Sequence, residues 1–275
     1  MRDNRGKIFF TYLFLIFLTI LVLYPFYYAL ITSVKSLDEY YLNRLNLPMS
    51  IYLGNYVRVL LSSNMLIYII NSIVNVTLGM FFYIIISSAA GLAFGKFRFK
   101  GQLILFTFIL FFQIFPQMVI AGGLYQLFSK MRLINTRAGI LLAWLAYFCP
   151  FGTYIMTTFF STIPKNIIES ARIDGTNVIQ LLFKVMMPIA KPMIGTIGII
   201  GTLSMWNELP FTMLILQKEK LRTITIGIAL LQGEHGLAVP VLTAAVIVSA
   251  VIPTIFYIKF QNYIAMDVTA GAIKG

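Results

Sequence analysis

The groups in this sequence that could bind or react are few and unevenly placed. Residues 169–192 read ESARIDGTNVIQLLFKVMMPIAKP and bring Glu169, Arg172, Asp174, Lys184 and Lys191 into one short stretch between long apolar runs. Glu208, in SMWNELPF at 204–211, is the one carboxylate inside an apolar run. Asn71 and Asn75 stand four apart, as do Gln113 and Gln117 beside Pro116, so each pair shares a helix face. Polar groups inside a span are costly and mark either a solute pathway or a hydrogen bond between helices. Helix bonding is the stronger reading for Asn71 and Asn75, and both stay open for Gln113. An ionised carboxylate at the bilayer centre costs on the order of 3 kcal/mol, so Glu208 is expected to face protein or a watery cavity. Pro210 removes one helix hydrogen bond and frees a carbonyl, which favours a polar pocket with Asn207 and Glu208. The alternative for Glu208 is a packing contact to a second subunit.

The residue inventory also excludes chemistry. One cysteine, Cys149, rules out an intrachain disulfide, and one histidine, His235, rules out a multi-histidine metal site. The sequence holds no G-x-x-x-x-G-K-[ST] phosphate loop. GTIGIIGTL at 195–203 is rich in Gly but lacks Lys, and suits close helix packing. With no H-E-x-x-H and no nucleophile paired with a base, catalysis by this chain is not expected.

The elements that must position these groups follow from composition. Of 275 residues, 59% are hydrophobic and 11% charged, with a mean hydropathy of +0.88. Soluble domains carry about 25% charged residues, so the chain reads as an integral membrane protein. A barrel would alternate polar and apolar residues, whereas here the runs are continuously apolar. Six runs stand out, at about 8–31, 66–94, 102–121, 138–160, 193–216 and 238–261. The first is too long for a signal-peptide core and lacks an A-x-A site, so it reads as a retained span. The net charge of +12 comes from basic residues between the runs, which points to orientation in the membrane and away from nucleic acid. Three basic residues in GKFRFKG at 95–101 place that short join, and with it both termini, in the cytoplasm. This join is read as a topology signal. On the other side, Lys130, Arg132 and Arg137 have no acidic neighbour in their loop and suit an acidic partner, lipid headgroups or an anionic solute, the first of these being preferred.

The charged stretch then lies between the fourth and fifth runs. Pro164 suits a first helical turn, and 164–173 allows a helix of about 15 Å, too short to span. Gly175 stands where a helix end needs a left-handed residue, and Thr176 can cap a second helix. In that helix Val178, Leu181, Leu182, Val185 and Ile189 form an apolar face opposite Gln180 and Lys184. Pro188 and Pro192 mark the return to lipid. The object is either a rigid contact for a soluble partner or a loop resting on headgroups.

ESARIDGTNVIQLLFKVMMPIAKP resembles the E-A-A–x–x–D-G signature of the inner-membrane permeases of ABC importers, with Ser170 at a usual Ala and Met187 before Pro188 at a usual Leu. NSIVNVTLGMFFYIIISSAAGLAFGKFRFKG at 71–101, SMWNELPF, and the ending TAGAIKG are similar to the carbohydrate branch, the maltose-type second permease. The resemblance implies an all-α membrane protein with six transmembrane helices in a type I ABC importer permease fold. One domain, 1–275, would carry a cytoplasmic coupling hairpin at about 161–192. It implies that Glu169, Ala171, Arg172, Asp174 and Gly175 couple to an ATPase dimer, and that a second homologous permease and an extracellular solute-binding protein complete the machine. Gln113, Tyr154, Asn207, Glu208 and Asn71 are then candidates for the substrate pathway. The cargo would be a carbohydrate, in the oligosaccharide range, or else a polyol, glycerol-phosphate or other small organic solute. No cofactor is expected in this chain; ATP and Mg belong to the partner ATPase. The location implied is the bacterial or archaeal cell (inner) membrane. A secondary transporter would usually show an internal repeat, and none is found.

Overall fold

The structure, a computed structural model, describes residues 3–62, 64–233 and 238–261. His235 and the TAGAIKG ending lie outside the described residues. Every regular element among the described residues is helical. In chain order these are α1 (Asp3–Ser33), α2 (Leu37–Leu42), α3 (Gly54–Val57), α4 (Met65–Lys96), α5 (Gln102–Phe111), α6 (Gln117–Lys130), α7 (Arg137–Thr162), α8 (Lys165–Ile173), α9 (Val178–Ile189), α10 (Lys191–Trp206), α11 (Pro210–Ile215), α12 (Ile224–Gly233) and α13 (Val239–Phe260).

Among the described residues, four helices are long and apolar enough to cross a membrane: Lys7–Ser33, Met65–Lys96, Arg137–Thr162 and Val239–Phe260. Counting each bent helix pair as one span gives six. The third run is not the single straight span expected over 102–121. α5 tightens into a 3₁₀ turn at Phe112–Ile114, Phe115 becomes extended, and α6 leaves at 105° after Pro116. Proline disfavours helical backbone in the residue before it and cannot donate to the preceding turn, which accounts for the break. The fifth run, expected over 193–216, is also divided: α10 ends at Trp206 and α11 begins at Pro210. Pro210 therefore opens a helix at its first position, where its missing N–H costs nothing, and does not kink one from inside. The join expected over 217–236 contains α12, an apolar helix.

The chain divides into two compact units. One holds the described residues up to Leu66 together with Gly227–Val251. Its first helix has no buried residue in its most apolar stretch. At the foot of that helix Lys35 is fully buried, and its Nζ donates to the carbonyls of Asn43 (2.8 Å), Arg44 (3.2 Å) and Asn46 (2.6 Å). Three acceptors satisfy the three ammonium donors, so this lysine organises the loop after α1.

The other unit holds Ile67–Ile226 and the described residues from Ile252. Its core lies where α4, α7 and α10 meet. Small residues let these helices approach closely, the usual device of helix packing in lipid. A Cβ on Gly91 would sit 2.4 Å from the Cβ of Met156. Tyr83, fully buried, is held between two glycines: a Cβ on Gly152 would lie 2.7 Å from its hydroxyl, and one on Gly201 2.9 Å from its ring.

Candidate functional site

The hairpin is built from α8 and α9. Pro164 precedes α8 in extended backbone, one position earlier than the sequence suggests. Ile168 and Ala171 are buried, while Glu169, Arg172, Asp174 and Gly175 are exposed. Spacing of three puts the first two on one face, so the charges point away from the protein. Gly175 adopts φ +77°. Its N–H donates to Arg172 O (3.0 Å) and the Thr176 N–H to Ala171 O (3.1 Å), the pair of bonds that closes a helix through a left-handed residue. The Thr176 hydroxyl adds a bond to Ala171 O at 2.6 Å.

Thr176 is thus spent on ending α8 and does not cap α9 as expected. Asn177 does: its Oδ1 accepts from Gln180 N (2.8 Å) and its N–H donates to Gln180 Oε1 (3.1 Å), a capping box. The apolar face also differs from the expected one. Leu181, Leu182 and Met186 are buried, whereas Val178 and Ile189 are exposed. Residues 181–186 wind as a π turn, which shifts the inward position from Val185 to Met186. At the tip, Ile173, Val178 and Ile179 are exposed apolar side chains beside the charges.

GKFRFKG also makes tertiary contacts. Lys96 Nζ donates to Ser161 O (3.1 Å) and to Ile163 O. The Arg172 guanidinium lies 5.9 Å from the centroid of the Phe97 ring, within cation–π reach. The end of α4 therefore holds both the entry and the tip of the hairpin.

Glu208 occupies the break between α10 and α11 and is buried. Its carboxylate accepts from Trp144 Nε1 (2.9 Å), Phe211 N (2.6 Å), Thr212 N (3.0 Å) and the Thr212 hydroxyl. Both oxygens are thus satisfied from within this chain. The expected pocket with Asn207 does not form, because the Asn207 amide turns back to Leu203 O at 2.8 Å. Gln113 donates to Tyr147 O at 3.2 Å, and Tyr147 stacks edge-on against Phe211 at 5.6 Å, so Gln113 and Glu208 meet the same turn of α7. Tyr154 lies about 10 Å further along that helix with its side chain exposed. Asn71 is bound at the far end: it donates to Lys220 O (2.9 Å) and Arg222 O (3.1 Å) and accepts from Arg137 Nη2 (3.2 Å). Asn75 is buried with its Oδ1 unbonded. The structure brings the five hairpin residues together but leaves the five pathway candidates on separate elements.

The residues that sequence reasoning missed are Trp144, Thr212 and Lys96. A buried carboxylate needs donors, and Trp144 is one of two tryptophans in the chain, which was a usable signal.

Residues 83–265 match the family described as the inner membrane component of binding-protein-dependent transport systems. The chain belongs to this family. As a member, it is a permease subunit of an ABC importer, an inner membrane component. The permease is 32% identical over 264 residues, 94% of each chain, to the trehalose/maltose transport system permease protein MalG of Thermococcus litoralis. It is 27% identical over 252 residues, 91% of each chain, to the melibiose/raffinose/stachyose import permease protein MelC of Bacillus subtilis. Its fold matches a chain in the crystal structure of a bacterial ABC transporter that imports the acidic polysaccharide alginate, with a TM-score of 0.83, 24% identity, and coverage of 96% of this permease and 98% of that chain. The helical importer permease fold expected from the sequence is thereby shown, with four to six candidate spans among the described residues.

Proposed function

We propose that this permease moves a carbohydrate, in the oligosaccharide range, delivered by an extracellular binding protein, and that a separate ATPase dimer drives it through the hairpin. The sugar reading is supported by relatives named for the transport of di- and oligosaccharides. The drive reading rests on one observation: the charged turn is closed by its own cap and anchored by Lys96 and Phe97. A segment so fixed transmits displacement, whereas a loop lying on headgroups has no need of two tertiary anchors. Ile173, Val178 and Ile179 offer an apolar centre for a cleft on the ATPase, and Glu169, Arg172 and Asp174 a charged rim. The sequence holds no phosphate loop, so ATP and Mg are assigned to the ATPase, and this subunit to a non-catalytic role beside a second permease.

The test is reconstitution in vesicles with the second permease, the ATPase and the binding protein encoded with them. Hydrolysis should require the ATPase and rise with sugar-loaded binding protein, and labelled sugar should enter the vesicle. Turnover of ATP by this subunit alone, or a binding protein that takes no saccharide, would refute the corresponding half.

A further inference from the structure

The chain after α1 turns its apolar side chains outward. Between 41 and 53, Leu42, Leu45, Leu47, Met49, Ile51 and Leu53 are all exposed, Leu42, Met49 and Ile51 at 89%, 84% and 75%. A contiguous apolar patch marks a contact with membrane or with protein. Residues 43–53 form no helix or strand, yet much of their backbone is satisfied from within. The carbonyls of Asn43, Arg44 and Asn46 accept from the buried Lys35 ammonium. The Asn43 N–H donates to Glu39 O (2.8 Å), the Asn46 N–H to Asn43 Oδ1 (3.3 Å), and the Tyr52 N–H to Val34 O (2.8 Å). The Met49 N–H donates to the Glu39 carboxylate. The stem is fixed by Asn55 Nδ2, which donates to Ser33 O (2.9 Å) and Lys35 O (2.7 Å). In water these groups would be hydrated without help, and burying an ammonium among them would be costly. Hydrocarbon offers no such partners, so irregular backbone at membrane depth must be satisfied by the protein itself.

The surroundings have the composition of a lipid boundary. Seven of the fifteen tyrosines fall between 24 and 56, and tyrosine gathers where membrane meets water. The single charged residue from 41 to 53 is Arg44, whose guanidinium lies 5.6 Å from the Tyr40 ring centroid and 6.0 Å from that of Tyr41. An arginine is carried at that depth with its stem along apolar surface and its head at the water's edge. The apolar stretch of α1 has no buried residue, so the lipid-facing surface continues from the helix onto the loop. We propose that segment 41–53 is an interfacial membrane anchor: its apolar side chains enter the acyl chains of one leaflet and hold the C-terminal end of α1 at a fixed depth. A protein contact would account for the apolar area, but not for the tyrosine belt and its one arginine. The proposal is independent of which side of the membrane this end faces.

Nitroxide accessibility tests this in the assembled transporter, with its second permease and ATPase, in phosphatidylcholine vesicles. Single cysteines at Leu45, Leu47, Met49 and Ile51 carry the label; the one native thiol, Cys149, is buried, and the unsubstituted chain gives the background. Oxygen partitions into hydrocarbon, whereas a hydrophilic nickel chelate stays in water. Collisions with oxygen should exceed those with nickel several-fold at all four positions. The reverse pattern would place the loop in water and overturn the proposal. Low accessibility to both reagents would mean that the second permease or another protein covers the loop, which overturns it equally. Lys35→Met then removes the donor to three carbonyls. Nickel accessibility at Leu45 and Leu47 should rise several-fold as those carbonyls turn to water. Wild-type accessibility in the Met variant would mean that satisfied backbone is not what admits the loop to lipid, and the proposal fails. Every one of these outcomes leaves the importer reading intact.

Discussion

The indole N–H of Trp144 donates to the Glu208 carboxylate at 2.9 Å across 64 residues of sequence. The bond joins the middle of α7 to the break between α10 and α11, and the same carboxylate receives the first two free N–H groups of α11. Glu208→Leu would strand these donors, each at about 1–3 kcal/mol when buried. The purified complex should melt several degrees lower. Glu208→Gln keeps an acceptor and should lose less, and Trp144→Phe should cost about one bond. A Leu variant as stable as wild type would remove Glu208 as the lock of this break.

Gly175 meets nothing within 4 Å at its Cβ position, so substitutions there are penalised by backbone alone. Left-handed backbone costs a non-glycine residue about 1–2 kcal/mol, more when β-branched, and least for asparagine. Transport in vesicles should fall in the order Gly, Asn, Ala, Val, with ATPase co-purification following the same series. Glu169→Lys should weaken co-purification with the hairpin geometry unchanged. Equal transport across the series would mean that the direction of the turn is immaterial.

Lys96→Met leaves the carbonyls of Ser161 and Ile163 without their ammonium donor. The hairpin should then move without carrying α4. The measurable consequence is a higher ratio of ATP hydrolysed to sugar transported, with the ATPase still bound. An unchanged ratio would show that α7 alone transmits the motion.

Gly152→Ala places a methyl 2.3 Å from Ser87 Oγ and 2.7 Å from the Tyr83 hydroxyl. Overpacking of this kind costs about 1–3 kcal/mol. Ser87→Gly in the same chain should recover part of the loss, since it removes the nearer atom. Additive losses in thermal stability would indicate that Ser87 rotates away freely.

The hairpin was legible because its local rules are strict. Gly175 is required by the handedness of the turn, and Glu169, Arg172 and Asp174 have no place in lipid. What local rules left open was the register of the caps: Thr176 and Asn177 are both good capping residues, and only the tertiary turn shows that Thr176 is already engaged by Ala171. The breaks in the third and fifth runs were marked by Pro116 and Pro210, yet hydropathy averages over single prolines. The carbonyl partner of Asn71 and the indole partner of Glu208 come from 149 and 64 residues away, and no spacing rule within one helix reaches that far, although the Phe211 and Thr212 donors to Glu208 are local.

Tyr83, gripped between Gly152 and Gly201, is shared by the packing of all three helices. Gly152 is ten residues from the end of α7 and fifteen from its start, so the arms on either side measure about 15 Å and 23 Å. A body turning about such a point reverses direction and gains amplitude. A tilt of the hairpin end about Tyr83 by a given distance would swing the Arg137 end the other way by about half as much again, a mechanical advantage set by where one tyrosine is pinned.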